Sequence, residues 1–187
     1  MHPMRGRSHP RRLAVLLVLL VLSLVALSHR SRIQAWASRS DPRVRAGLAP
    51  ELPAGTRTLD GKPITLAELR GHVVLLHFWT FACGNCEHML PSYSAWDARL
   101  RARGLRVVGV HTPELAHERD LDRLRAFVAD KHLAWTVVPD GGYLVWDAYG
   151  VKAWPTIFLI DKAGAVVATF VGDDHAREIE AAIDKLL

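Results

Sequence analysis

The sequence predicts an α/β domain in which a central mixed β-sheet carries helices on both faces. Three observations lead there. Runs of β-branched and aromatic residues (73–79, 105–110, 156–161 and 166–171) are separated by stretches with apolar residues at helical spacing. The earlier runs alternate with helices, as strand–helix–strand units do. The last two runs are divided only by Lys162-Ala163-Gly164, a hairpin signal.

In chain order, Leu13–Leu27 is apolar apart from Ser23 and comes after Arg5, Arg7, Arg11 and Arg12. A basic stretch before such a run reads as an export signal. A helix of this length spans about 23 Å, short of the ~30 Å hydrocarbon core, and snorkelling Arg12 and Arg30 make up the difference. Ala35-Trp36-Ala37 offers a small-x-small cleavage site. Residues 1–37 are therefore expected to be an uncleaved membrane anchor or a cleaved signal. Either places the remainder of the chain outside the cytoplasm. Residues 38–55 mix Pro, Gly and Arg without periodicity and read as a linker. The folded domain is expected over 56–187.

Within it, Thr56–Asp60 and Pro63–Leu66 read as short β or turn segments, and Val73–Trp79 as a buried strand. A helix should run from Cys86 to about Arg103, closed by Gly104 and favoured at its end by Arg99, Arg101 and Arg103. Leu105–Val110 is a second central strand. Glu118–Lys131 is a helix with Leu121, Leu124, Phe127 and Val128 on one face. Trp135–Val138 is a short strand and Tyr143–Tyr149 a helical turn. Thr156–Asp161 and Val166–Val171 form the hairpin, and Ala176–Leu187 a terminal helix.

The net charge of +5 misleads, because residues 1–45 carry +8 and residues 46–187 carry −3. That balance argues against the basic patch that nucleic-acid binding needs. The only cysteines are Cys83 and Cys86. A structural disulfide framework needs more cysteines, and bridging near neighbours constrains the unfolded chain little. The pair sits between a strand and a helix. A thiol at a helix start meets unpaired amides and the positive end of the helix dipole, which favour thiolate and lower its pKa below the free value near 8.5. Cys83 is expected to attack a disulfide, and the more buried Cys86 to resolve the mixed disulfide. The alternative, half of a zinc site, needs two further ligands, and the chain has no third cysteine and no HxxxH pair.

From Phe78 to Trp96, FWTFACGNCEHMLPSYSAW resembles the thioredoxin superfamily, above all its membrane-anchored periplasmic TlpA/ResA-like and DipZ-like redoxin domains. The resemblance extends through Asp60–Leu66 with Leu69-Arg70-Gly71, through Val108–Glu114 (VGVHTPE), through Pro91 in the helix after the cysteines, and through Trp154-Pro155-Thr156. It covers roughly residues 56–187 and implies a thioredoxin-like fold. It also implies that Trp79 packs beneath the site, that Pro155 is cis and sits against the cysteines, and that the Trp154 backbone pairs with an extended substrate. Gly84 and Asn85, between the cysteines, depart from the Gly-Pro of thioredoxin itself. His77 stands where many thioredoxins have a buried Asp, and either accepts the Cys86 proton or is an ordinary core histidine. Glu114 either lines the site or is a solvated loop carboxylate.

The expected function is an extracytoplasmic thiol–disulfide oxidoreductase, a reductase of an exported client with a cysteine pair. Apocytochrome c is one client that the resemblance implies. Electrons come from a membrane donor, and the N-terminal segment holds the chain at the inner membrane. No cofactor is expected beyond the redox-active Cys83–Cys86 disulfide, and no metal. The alternatives are the oxidase direction, a thiol peroxidase, and a Cu(I)-binding module in which His88 or His111 completes a two-thiolate site.

Overall fold

The computed structural model describes residues 47–187. The expected anchor, residues 1–37, and the first half of the expected linker, residues 38–46, lie outside them. The strands are β1 (Val73–Trp79), β2 (Leu105–His111), β3 (Thr136–Pro139), β4 (Thr156–Ile160) and β5 (Val166–Val171). They form one five-stranded sheet in the order β3-β2-β1-β4-β5. β1, β2 and β3 are parallel, and the β4–β5 hairpin adds antiparallel to β1. The helices are α1 (Gly84–Leu100), α2 (Leu121–Asp130), α3 (Leu144–Tyr149) and α4 (Ala176–Leu186). The arrangement is a thioredoxin-like α/β fold, as the resemblance implied.

β1 is the central strand and all seven of its residues are buried, which is why it reads as an apolar run interrupted only by His77 rather than an alternating one. Its odd positions Val73, Leu75 and Trp79 join a core with Met89, Tyr93 and Trp96 of α1, Leu124 of α2, and Ile179 and Ile183 of α4. Its even positions Val74, Leu76 and Phe78 join a second core with Val145, Trp146 and Tyr149 of α3. The period-2 alternation of strand side chains thus divides one strand between two layers of helix.

Three boundaries differ from expectation by more than two residues. The helix expected over 118–131 is two pieces, a 3-10 turn at Ala116–Arg119 and then α2. The break is Asp120, whose carboxylate accepts from the amides of Asp122 (2.9 Å) and Arg123 (3.2 Å) and so caps a new helix start. Helix α1 ends at Leu100 and a 3-10 turn, Arg101–Arg103, carries the chain to Gly104, whose φ of 105° turns it into β2. The end of the expected linker is part of the domain. Ala49 and Leu52 are buried in the second core, the Ala49 amide donates to the Gly164 carbonyl at 2.8 Å, and Leu48 bridges Ala165. These few apolar residues have no period to read, and only the hairpin beside them makes them structural.

Gly109, in the middle of β2, is required by crowding. A Cβ there would lie 2.3 Å from the Trp135 ring, 2.7 Å from His77 Nε2 and 2.8 Å from Trp79 Nε1. All three neighbours are at most a few per cent exposed, so they have nowhere to move. Gly109→Ala is expected to destabilise the domain by about 1–3 kcal/mol. Urea denaturation of the two proteins checks this; equal midpoints would mean that the rings yield freely.

Candidate active site

β1, β2 and β4 bring three chain segments to one end of the sheet. Trp79, the last residue of β1, is in register with His111 at the end of β2, and Phe78 with Thr156 at the start of β4. The turn after Trp79 delivers Cys83, the segment after His111 carries Glu114 and Glu118, and the segment before Thr156 holds Trp154 and Pro155. The Trp154–Pro155 peptide bond is cis.

Cys83 is the N-cap of α1. Its backbone is extended (φ −95°, ψ 112°), its carbonyl accepts from the Glu87 amide at 3.0 Å, and its sulfur accepts from the Cys86 amide at 3.3 Å. A sulfur in this position takes one of the amide donors that a helix start leaves unpaired. Gly84 and Asn85, in the first turn, are exposed. Cys83 is half-buried and Cys86, one turn further, is 1% exposed; both are free thiols. Burial pushes the Cys86 thiol well above the usual range, and the nearby negative charges of Cys83 and Glu114 push in the same direction. The two sulfurs differ, then, because one caps the helix and the other lies under it.

Trp79 is fully buried beneath this turn and edge-on to His111, with ring centroids 5.2 Å apart. Trp154 is half-buried, packs on Trp146 at 4.3 Å and donates from Nε1 to the Thr112 carbonyl at 3.1 Å. Pro155 is buried. His77 is also fully buried, stacked on Tyr93 at 4.0 Å and edge-on to Trp135 at 4.8 Å. Neither of its ring nitrogens has a partner among the described residues, and the same is true of Trp79 Nε1 and the Tyr93 hydroxyl. Burial pulls the His77 pKa down to about 3, so the ring is neutral at pH 7. Glu114 is exposed, close enough for its charge to bear on Cys86 but bonded to neither sulfur.

A buried acid at this end is Glu118, which the residue pattern alone did not single out. It is 1% exposed. It accepts from the Thr80 hydroxyl, and from the amides of Ala82 (2.9 Å), Glu114 (2.8 Å) and Leu115 (2.7 Å). Burial alone would raise its pKa, but these four donors outweigh burial and lower it. The readable signal was the Asp120 cap, which puts Glu118 in a separate turn and frees it from the face of α2. Of the histidines considered as copper ligands, His88 Nδ1 lies 3.0 Å from an Asp173 oxygen, while His111 stacks on Phe81 and lies 3.5 Å from the Thr80 hydroxyl.

Residues 48–169 match the model of the AhpC/TSA family. The chain belongs to the AhpC/TSA family. It is 35% identical over 144 residues to the protein DipZ of Mycobacterium tuberculosis, covering 75% of this chain and 21% of that protein. It is 32% identical over 128 residues to the thiol–disulfide oxidoreductase ResA of Bacillus anthracis, covering 68% of this chain and 71% of ResA. Among solved structures it is similar to a Chlorobium tepidum protein assigned as the thiol:disulfide interchange protein DsbE, with 28% identity and a TM-score of 0.67 over 75% of this chain and 96% of that one. It is thus a thioredoxin-like homologue of thiol–disulfide oxidoreductases. The chain spans only 13–21% of the length of the longer curated relatives it matches.

Burial holds both imidazoles at this end neutral, the His111 pKa being pulled down to about 4 by burial, partly offset by the charge of Glu118. Each folded pKa lies below the unfolded value near 6.5. The stability each contributes is therefore complete above about pH 6.5 and is lost as the pH falls towards the folded pKa. The loss is expected to approach about 1.4 kcal/mol per pH unit for each ring between about pH 6 and 4. His77→Phe removes one of these contributions together with two unpartnered nitrogens. Denaturation midpoints across that range are expected to fall less steeply in the variant; parallel curves would mean that His77 protonates freely in the folded state.

Proposed function

We propose that this protein is an extracytoplasmic thiol–disulfide oxidoreductase that reduces disulfides of exported client proteins, with Cys83 as nucleophile and Cys86 as resolving thiol. The observation that carries this is the unequal seating of the two sulfurs, one at the open N-cap of α1 and one buried a turn below. In the forward reaction the Cys83 thiolate attacks one sulfur of the client disulfide. The other client sulfur leaves as a thiolate and takes a proton from water, and Cys83 is joined to the client. Cys86 then loses its proton and attacks the Cys83 sulfur. The client leaves with both cysteines reduced, and two electrons have been traded for a Cys83–Cys86 disulfide.

The difficulty of ionising Cys86 suits this order. It stays a thiol while Cys83 is engaged by the client, and the mixed disulfide supplies the neighbouring electrophile that makes its attack productive. Reduction of the new disulfide needs a dithiol donor, here placed at the membrane. The basic and apolar pattern of residues 1–37 supports an inner-membrane anchor with the domain on the periplasmic side. A client in cytochrome c maturation is the finer reading, and it draws on the resemblance to the TlpA/ResA-like branch. Trp154 and Pro155, at the same sheet end as Cys83, are the residues proposed to meet the client backbone, with Gly84, Asn85 and Glu114 on the rim.

Cys86→Ala is expected to accumulate mixed disulfides through Cys83 in its own cell envelope, and Cys83→Ala to abolish insulin reduction altogether. Non-reducing gels of trapped complexes and an insulin turbidity assay measure the two. Direction is read by titrating the cysteine pair against glutathione buffers, where about 30 mV corresponds to ~1.4 kcal/mol for two electrons. A potential in the range of strong oxidants would overturn the reductase direction, and an active Cys83→Ala variant would overturn the chemistry.

A further inference from the structure

Glu118 divides its carboxylate between two chain segments. Oε1 accepts from the Thr80 hydroxyl and from the Ala82 amide at 2.9 Å, both in the turn that delivers Cys83. Oε2 accepts from the amides of Glu114 at 2.8 Å and Leu115 at 2.7 Å, both in the loop that leaves β2. That loop is tied onward. The Thr112 carbonyl takes the Trp154 indole at 3.1 Å, and the Pro113 carbonyl takes the Tyr143 hydroxyl. One carboxylate and one carbonyl therefore link, in sequence, the cysteine turn, the loop after β2 and the segment leading into Pro155.

An ionised carboxylate is costly to bury unless donors meet its lone pairs. Here four do, with the residue 1% exposed. The amides of Ala82, Glu114 and Leu115 find their acceptor in the same carboxylate, so it satisfies backbone donors of both loops at once. A neutral amide side chain of the same shape has one acceptor oxygen and one donor nitrogen. Whichever way it turns, one of the two loops meets a donor where it needs an acceptor.

We propose that Glu118 is a positioning residue for thiol–disulfide exchange: it sets the separation between the Cys83 turn and the loop that holds Trp154, and so the groove a protein disulfide has to enter. This role rests on the exchange at Cys83 proposed for the chain. Glu118 makes no contact with the client and transfers no proton. The consequence is selectivity by size. A small disulfide reaches Cys83 without the groove, whereas a protein disulfide needs both walls in place.

The test uses the full chain and two substrates, insulin and a small aromatic disulfide. Glu118→Gln is expected to raise the KM for insulin roughly tenfold or more with little change in kcat, while the rate with the small disulfide stays within about threefold of wild type. Thr80→Val, which removes one donor from Oε1, is expected to give a smaller KM increase, and Thr80→Ser, which keeps the hydroxyl, to restore the wild-type value. An unchanged KM for insulin in Glu118→Gln, or equal losses on both substrates, would overturn the proposal. If Glu118→Gln does not fold, the two Thr80 variants decide, and matching KM values between them would overturn it. Failure of the wild-type chain to reduce either substrate removes the exchange chemistry itself, whereas wild-type turnover beside an unaffected Glu118→Gln counts against Glu118 alone.

Discussion

The site depends on one short-range interaction, the sulfur of Cys83 accepting the Cys86 amide at the first turn of α1. It exists because β1 stops at Trp79 and α1 starts at Gly84, leaving a turn too short to place the sulfur anywhere else. The strand beneath is rigid for an equally simple reason. All seven residues of β1 are buried and it is bonded on both sides, to β2 and to β4. A helix start anchored to such a strand has little freedom to tilt, and this fixes the direction of Cys83.

The three-residue spacing then makes the two thiols unlike. Cys83 lies outside the helix and half-buried, whereas Cys86 points inwards to the face that also carries Met89 and Tyr93. No specialised partner is needed to separate their behaviour. Desolvation resists charge on the inner sulfur, and the Cys86 amide receives the outer one. The division of labour proposed for them is a consequence of where a helix begins.

Two buried polar groups at this end of the sheet contrast in how burial is tolerated. Glu118 remains charged because four donors converge on it, two from each of two loops. His77 finds no hydrogen-bond partner among the described residues and stays neutral, held by stacking on Tyr93 and an edge-on contact with Trp135. The first arrangement ties backbone segments together and is directional. The second is packing around a ring that happens to carry nitrogens, made possible by the missing side chain at Gly109.

The sequence by itself determined the strands, the hairpin, the helix after the cysteines and the pairing of a cap cysteine with an inward one. Each of these is local: a run, a turn signal or a three-residue spacing carries it. It also marked Trp154 and Pro155, through a resemblance rather than through any pattern in the residues. It named Glu114, as a site-lining or a solvated loop carboxylate, and passed over the buried Glu118, because two glutamates four apart after β2 look alike until Asp120 is seen to cap α2 and leave Glu118 in a separate turn. It placed residues 48–55 in a linker, because Leu48 and Ala49 dock on Ala165 and Gly164, more than a hundred residues away. Tertiary structure decided these points because a carboxylate's burial and a segment's docking depend on donors and surfaces supplied by distant parts of the chain, which no local period encodes.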